Sequence, residues 1–236
     1  MELDVLAFAA HRDDTEITCG GILIKMKDIG YKVGAVDLTQ GEKGSRGSAR
    51  ERAAESEAAS KVMGLVHREN LNLPDARVEV SYENKLMIAG VIRRLKPKVI
   101  IAPYWEGRHP DHYNASRLAT ESSFLAGLKK LEIGGEPHRP FKIIYTMPFQ
   151  GFNRPSFIVD ITDQFERKME AIKCYKSQFL VQDEGGIFPP WDDLYDRFHS
   201  YFHYCGTLIF KKYGEAFIVK EAMEIEDVVK MPVRSV

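Results

Sequence analysis

The chain has 236 residues, 44% of them hydrophobic, enough apolar material to fill the core of one large domain. Lys and Arg number 33 against 34 Asp and Glu, a formal net charge of −1, which excludes the electrostatic footprint of a nucleic-acid or membrane-surface protein and leaves a small molecule as the expected partner. Cys19, Cys174 and Cys205 are widely spaced with no CxxC pair, no leader-like segment opens the chain, and no apolar run approaches the ~20 residues of a membrane span, so free thiols in a cytoplasmic protein are expected.

The apolar run 3–10 reads as a buried parallel strand, and His11-Arg12-Asp13-Asp14-Thr15-Glu16 sits where that strand leaves the sheet. Open α/β sheets bind their ligands at such strand ends. Gly20-Gly21 opens a helix to about Ile29, stopped by Gly30. Residues 32–38 form a second strand, parallel to the first by the crossover rule. Residues 39–48 carry Gly41, Gly44 and Gly47 without the spacing of a P-loop or a dinucleotide fingerprint, and are expected to act as a mobile lid. A helix over 49–63 puts Arg52 and Glu55 on one side, making Arg52 either half of a surface ion pair or a substrate contact.

A short strand over 69–73 ends at Pro74-Asp75, an amphipathic helix covers 81–95, and a buried strand covers 98–102. That strand leads to a second polar knot, His109-Pro110-Asp111-His112, and a helix over 113–128. Strands over 142–147 and 157–160, a helix capped by Thr162 or Asp163 and running to Tyr175, a long loop with Gly185-Gly186 and Pro189-Pro190, an aromatic helix over 192–204 and a weak strand over 216–219 complete the chain. The late aromatics Phe188, Trp191, Tyr195, Phe198, Tyr201, Phe202 and Tyr204 are expected to pack on the core or to form a subunit interface. The pattern predicts an α/β fold, a Rossmann-like mainly parallel sheet with helices on both faces, in a single domain with a C-terminal extension over about 180–236.

Two strand ends that each deliver imidazole and carboxylate can converge on one metal. Catalytic zinc takes three protein ligands and keeps one position for water, and His11, Asp14 and His112 supply such a set. Fe²⁺ or Co²⁺ suits the same donors. Asp13, beside the metal, is placed as the general base for water. His109, with Asp111 near enough to set its tautomer, either stabilises an oxyanion or protonates a leaving amine, or else packs as an outer-sphere histidine. Glu16 orients His11 or caps the following helix.

These residues resemble the motifs of the LmbE-like (PIG-L) superfamily of metal-dependent N-acetylglucosamine deacetylases. Its first motif, Ala-His-Pro-Asp-Asp-x-Glu, stands here as Ala10-His11-Arg12-Asp13-Asp14-Thr15-Glu16, and its second, His-Pro-Asp-His, as His109-Pro110-Asp111-His112. Asp37-Leu38-Thr39, Arg52 to Glu55, Asn72-Leu73-Pro74-Asp75, His138-Arg139-Pro140 and Tyr213-Gly214-Glu215-Ala216-Phe217 resemble the branch that deacetylates N-acetylglucosaminyl-malate in bacillithiol synthesis. The resemblance implies Zn²⁺ on His11, Asp14 and His112, Asp13 as base, His109 with Asp111 as an electrostatic pair, substrate contacts from Arg52 and Arg139, and homo-oligomers, hexamers in that branch. The reaction it implies is hydrolysis of the acetamide of an amino sugar conjugate to acetate and a free amine. The alternatives are a deacetylase of another acetylglucosamine conjugate or a chitin oligomer, and a non-catalytic sugar-binding relative. Arg12, where the motif has proline, removes no ligand, but its guanidinium could repel the metal or bind an anionic substrate.

Overall fold

The computed structural model describes residues 1–147, 154–180 and 190–233. Every residue of β1 (Val5–Ala9) and β2 (Val33–Thr39) is buried, as in strands covered on both faces. These two pair in parallel, flanked by β3 (His67–Leu73) and β4 (Val99–Ala102), and β5 (Lys142–Thr146) continues the parallel set beyond β4. β6 (Phe157–Asp160) and β7 (Gly214–Ile218) complete the sheet antiparallel, giving the order β3-β2-β1-β4-β5-β7-β6. The end of the chain therefore supplies an internal strand, and Phe217 on it is fully buried.

Alternation along each strand sends neighbouring side chains to opposite faces. Val5, Ala7, Val33 and Ile101 meet Leu23, Ile24, Met63 and Ala171 of α1 (Asp14–Asp28), α2 (Ala49–Met63) and α5 (Phe165–Lys173). Leu6, Phe8, Val36 and Ile100 meet Ile88, Ile92 and Leu118 of α3 (Tyr82–Leu95) and α4 (Pro110–Ala126). This is the predicted Rossmann-like α/β sheet with helices on both faces. α6 (Lys176–Phe179) and α7 (Trp191–Thr207) follow, and no helix of the described residues is long and apolar enough to cross a membrane. On α7, Phe198 and Phe202 pack with Phe165 and Tyr213 in a third cluster, joined by Trp191, Tyr195 and Tyr201, so these aromatics are core; Tyr204 is exposed. Phe188 and the loop 181–189 lie outside the described residues.

Three helix starts differ materially from expectation. The helix expected over 113–128 begins at Pro110, so the second polar knot is its cap and first turn. α1 begins at Asp14, yet its backbone breaks at Cys19 (φ −144°, ψ 17°), so the predicted start at Gly20 is the start of its second half. Such a break leaves backbone N–H groups without helical acceptors. Glu215 fills the gap: Oε1 accepts from Gly21 N and Oε2 from Ile22 N, each at 2.7 Å. Lys168 Nζ in turn donates to Glu215 Oε1 (2.5 Å) and to Ile17 O (2.9 Å), with both side chains at most 1% exposed. A Cβ on Gly21 would lie 2.8 Å from Glu215 Oε1, so glycine is what permits this approach. At α5 neither Thr162 nor Asp163 is the cap. Thr162 uses its N–H and hydroxyl on Asp160 Oδ1, and Gln164 occupies the cap without a side-chain capping bond.

Candidate metal centre

β1 and β4 are neighbours whose chain continuations run to opposite sides of the sheet, to β2 and to β5, which makes their C-terminal ends the switch point. The first polar knot leaves β1 there, and the second forms the N-cap and first turn of α4, which begins at Pro110. His11 Nδ1 stands 3.2 Å from Asp14 Oδ2, His112 Nε2 is 3.2 Å from the same oxygen, and the two nitrogens are 3.3 Å apart. Tetrahedral zinc bonds of ~2.0–2.1 Å place ligand atoms roughly 3.3–3.4 Å apart, so this triangle fits such an ion. The donor types, two imidazoles and one carboxylate, are those of a catalytic site.

The remaining His11 nitrogen, Nε2, lies 3.1 Å from Asp75 Oδ1 and 3.6 Å from Asp111 Oδ2. A carboxylate on that side favours N–H on Nε2 and leaves the Nδ1 lone pair for a metal. Burial works against a charged His11 ring, yet Asp14 and Asp75 hold its pKa up, at about 11. Burial likewise opposes ionised Asp14, but His112 and His11 hold it well below the usual carboxylate range. The pocket thus favours a positive charge at this point.

An open cavity of about 300 Å³ adjoins the triangle, lined by His11, Asp13 and Asp14 together with Lys43, Arg52, Asp75, His109 and Gln178. Asp13 occupies the N-cap of α1 without a capping hydrogen bond, which leaves its carboxylate at the cavity wall; burial and the neighbouring Asp14 push it up. His109 is the N-cap of α4, and its Nδ1 accepts from Asp111 N at 3.2 Å. Burial, then His11 and His112, lower its pKa. Asp111 opposes that lowering and favours the charged ring, while the hydrogen bond between the two residues comes from the Asp111 backbone. Capping turns the ring toward the Asp111 backbone, while the Asp111 carboxylate accepts from Ala76 N (2.7 Å) and Val78 N (3.1 Å).

Arg52 is 7% exposed and makes no surface pair with Glu55, whose carboxylate binds Ser177 N and Oγ instead. Its Nη2 donates to Arg46 O and Gln178 Oε1, and a Cβ on Gly41 or Gly44 would lie 2.1–2.2 Å from its nitrogens. The Gly-rich stretch is therefore wrapped around Arg52, and Lys43 N is fixed to Asp75 Oδ2 at 2.7 Å, so in place of a free lid there is an anchored wall. Arg139 is also corrected. β5 runs parallel to β4, so the residues before it lie beside those before β4: Phe141 N donates to Lys98 O and His138 Nε2 meets Pro97 O. That is the opposite end of the sheet from the triangle, and the Arg139 guanidinium rests on Phe124 at 4.9 Å.

Arg12 turns away from the triangle into a larger groove of about 440 Å³ between α2 and β3, where Nη1 donates to Ser56 Oγ at 3.0 Å. That groove holds none of the clustered metal-ligand sets of the described residues. The Arg12 carbonyl accepts from Arg68 and from the Tyr175 hydroxyl. Arg68 also binds Asp37 Oδ2 (2.9 Å) and Glu16 Oε1 (2.5 Å), so Glu16 neither orients His11 nor caps a helix; it pairs with a buried arginine. Sequence reasoning missed Arg68 and the pairing role of Asp75. The signals were a charged Asp37 inside an otherwise apolar strand, which needs a partner, and a third strand-end carboxylate after Leu73.

The family model described as GlcNAc-PI de-N-acetylase (PIG-L) matches residues 6–123. Diacetylchitobiose deacetylase of Thermococcus kodakarensis is 30% identical over 203 residues, 79% of this chain and 74% of that protein. The crystal structure of the conserved protein TT1542 from Thermus thermophilus superposes with a TM-score of 0.86 at 36% identity, covering 95% of this chain and 98% of that one. 4-Oxalmesaconate hydratase of Pseudomonas putida is 27% identical over 201 residues, 73% of each chain.

Proposed function

Since the chain belongs to the PIG-L family of GlcNAc-PI de-N-acetylases, we propose that it is a metal-dependent N-deacetylase that hydrolyses the acetamide of an N-acetylglucosamine conjugate. The observation that carries this reading is the His11–Asp14–His112 triangle with Asp13 and His109 on the wall of one adjoining cavity. A divalent ion held there would supply Lewis acidity to a carbonyl oxygen and acidify water from 15.7 toward ~7.

The chain's own groups do the rest. A carboxylate oxygen of Asp13 takes a proton from the attacking water as the water oxygen bonds to the acetamide carbon. The same oxygen returns that proton to the leaving nitrogen as the C–N bond breaks, giving acetate and the amine. His109 has Nδ1 engaged by Asp111 N–H, so its own N–H is on Nε2, and from there it donates to the oxyanion formed on the carbonyl oxygen. Asp111 fixes the turn Ala76–Val78 against the site.

The finer reading is N-acetylglucosaminyl-malate as substrate, in bacillithiol synthesis. It is supported by the sequence likeness along the chain and by Arg52 at the cavity, a guanidinium suited to a carboxylate. Arg139 lends it no support. The likeness to a diacetylchitobiose deacetylase favours a second reading, a chitobiose-type substrate. The test is acetate release by Zn²⁺-loaded protein from the malate conjugate and from N,N'-diacetylchitobiose, with hydration of 4-oxalmesaconate followed in parallel. A higher kcat/KM on chitobiose removes the malate reading and leaves the deacetylase. Hydration without acetate release removes the deacetylase.

A further inference from the structure

Asp75 is the group at this site whose two carboxylate oxygens face different parts of the machine. Oδ1 sits 3.1 Å from His11 Nε2, and Oδ2 accepts from Lys43 N, in the Gly-rich loop, at 2.7 Å. The residue is 7% exposed and follows β3, so its position is set by the sheet. The turn it belongs to is held under strain. Ala76 has φ +60°, a left-handed conformation that is unfavourable for a residue with a side chain. Such strain persists only where the surroundings over-determine it. Here Ala76 N donates to Asp75 Oδ1 (2.8 Å) and to Asp111 Oδ2 (2.7 Å), and Asp75 N donates to Glu42 Oε1 (2.9 Å).

We propose that Asp75 is a positioning residue that holds His11 with Nδ1 toward the ion and, through its other oxygen, makes the Gly-rich loop and the first metal ligand one mechanical unit. The inference rests on the metal-binding reading above. An outer carboxylate that receives the far N–H of a ligating imidazole fixes its ring plane and tautomer. Asn at position 75 has the same shape but only one acceptor oxygen. Lys43 N can only donate and claims that oxygen, while Ala76 N keeps Asp111, so the amide NH2 faces His11 Nε2 and favours the tautomer with N–H on Nδ1.

The test uses the full chain, stripped of metal by chelation and then titrated with Zn²⁺ and Co²⁺, in the parent, Asp75→Asn and Asp75→Ala. Affinity is read by competition with a chromophoric chelator, the Co²⁺ site by its visible spectrum, and the loop by the rate of tryptic cleavage after Lys43. Removing such a partner should lower metal affinity about 10–100-fold in Asp75→Asn and change the Co²⁺ band, and Asp75→Ala should be cut faster after Lys43. Lowered metal affinity in both variants, with circular dichroism unchanged, supports the assignment. Parent-like metal affinity in Asp75→Asn overturns it, and a raised KM alongside would make Asp75 a substrate contact instead. If Asp75→Ala does not fold, the isosteric Asp75→Asn still gives the affinity. A parent that binds neither ion removes the metal reading and this inference with it, whereas a parent that binds while Asp75→Asn binds equally well removes only Asp75.

Discussion

A triangle with sides of 3.2, 3.2 and 3.3 Å offers one donor atom from each of three residues. His11→Ala, Asp14→Ala and His112→Ala should therefore each lose bound metal and activity together, and elemental analysis that finds full zinc in any of them strikes that residue from the set. Asp13→Asn should behave differently, keeping metal while losing rate by ~10²–10⁴-fold, the range for a missing general base. Arg139→Met should change kcat/KM less than two-fold on any acetylated amino sugar, because its guanidinium lies on Phe124 at the far end of the sheet. A selective loss on the malate conjugate would reverse that correction. The ligands were legible in the sequence because apolar strands announce their own ends: His11 stands two residues past β1, and His112 lies in the polar knot that follows the β4 loop. The Asp111 and Asp75 contacts were not, since they depend on the capping rotation of His109 and on the left-handed Ala76. Arg139 misled because a motif gives nearness in sequence and says nothing of strand direction.

At the scale of elements, the N-cap and first turn of α1 carry Asp13 and Asp14, so whatever stabilises the break at Cys19 also aims the site. Lys168→Met removes the cation that faces Glu215 and leaves a carboxylate buried without its partner. Loss of one member of such a pair costs ~3–5 kcal/mol, and urea unfolding should show it as a lower midpoint with an unchanged slope. A shift under ~1 kcal/mol would mean that the Gly21 and Ile22 N–H groups alone satisfy Glu215. The parallel strands and the helix over 49–63 were readable from periodicity and caps, Ser48 and Glu51 forming the capping box of α2. The long-range pair was not, because Lys168 and Glu215 are 47 residues apart and each looks solvent-exposed in its own helix or strand pattern.

For the whole molecule, what a C-terminal extension means is a question of topology. β7 lies between β5 and β6, hydrogen-bonded on both sides, so its removal would open two strand edges in the middle of a sheet. Residues 221–233, in contrast, are exposed throughout. Two truncations separate these parts. Ending the chain after Lys220 keeps β7 and the packing of Lys220 on Trp105 and Tyr145, and should shift stability by no more than ~0.5 kcal/mol, as for surface changes. Ending it after Thr207 deletes Tyr213, Glu215 and Phe217, which are 3%, 1% and 0% exposed. Loss of a buried phenylalanine costs ~3–5 kcal/mol and stranding Lys168 a similar amount, together comparable with the ~5–15 kcal/mol that holds a domain folded. The shorter chain should therefore show no cooperative urea transition by circular dichroism and no acetate release, while the longer one matches the full chain in both. A cooperative transition in the chain ending at Thr207 would make β7 dispensable, and the segment after 207 would then be an addition to a core that is complete without it.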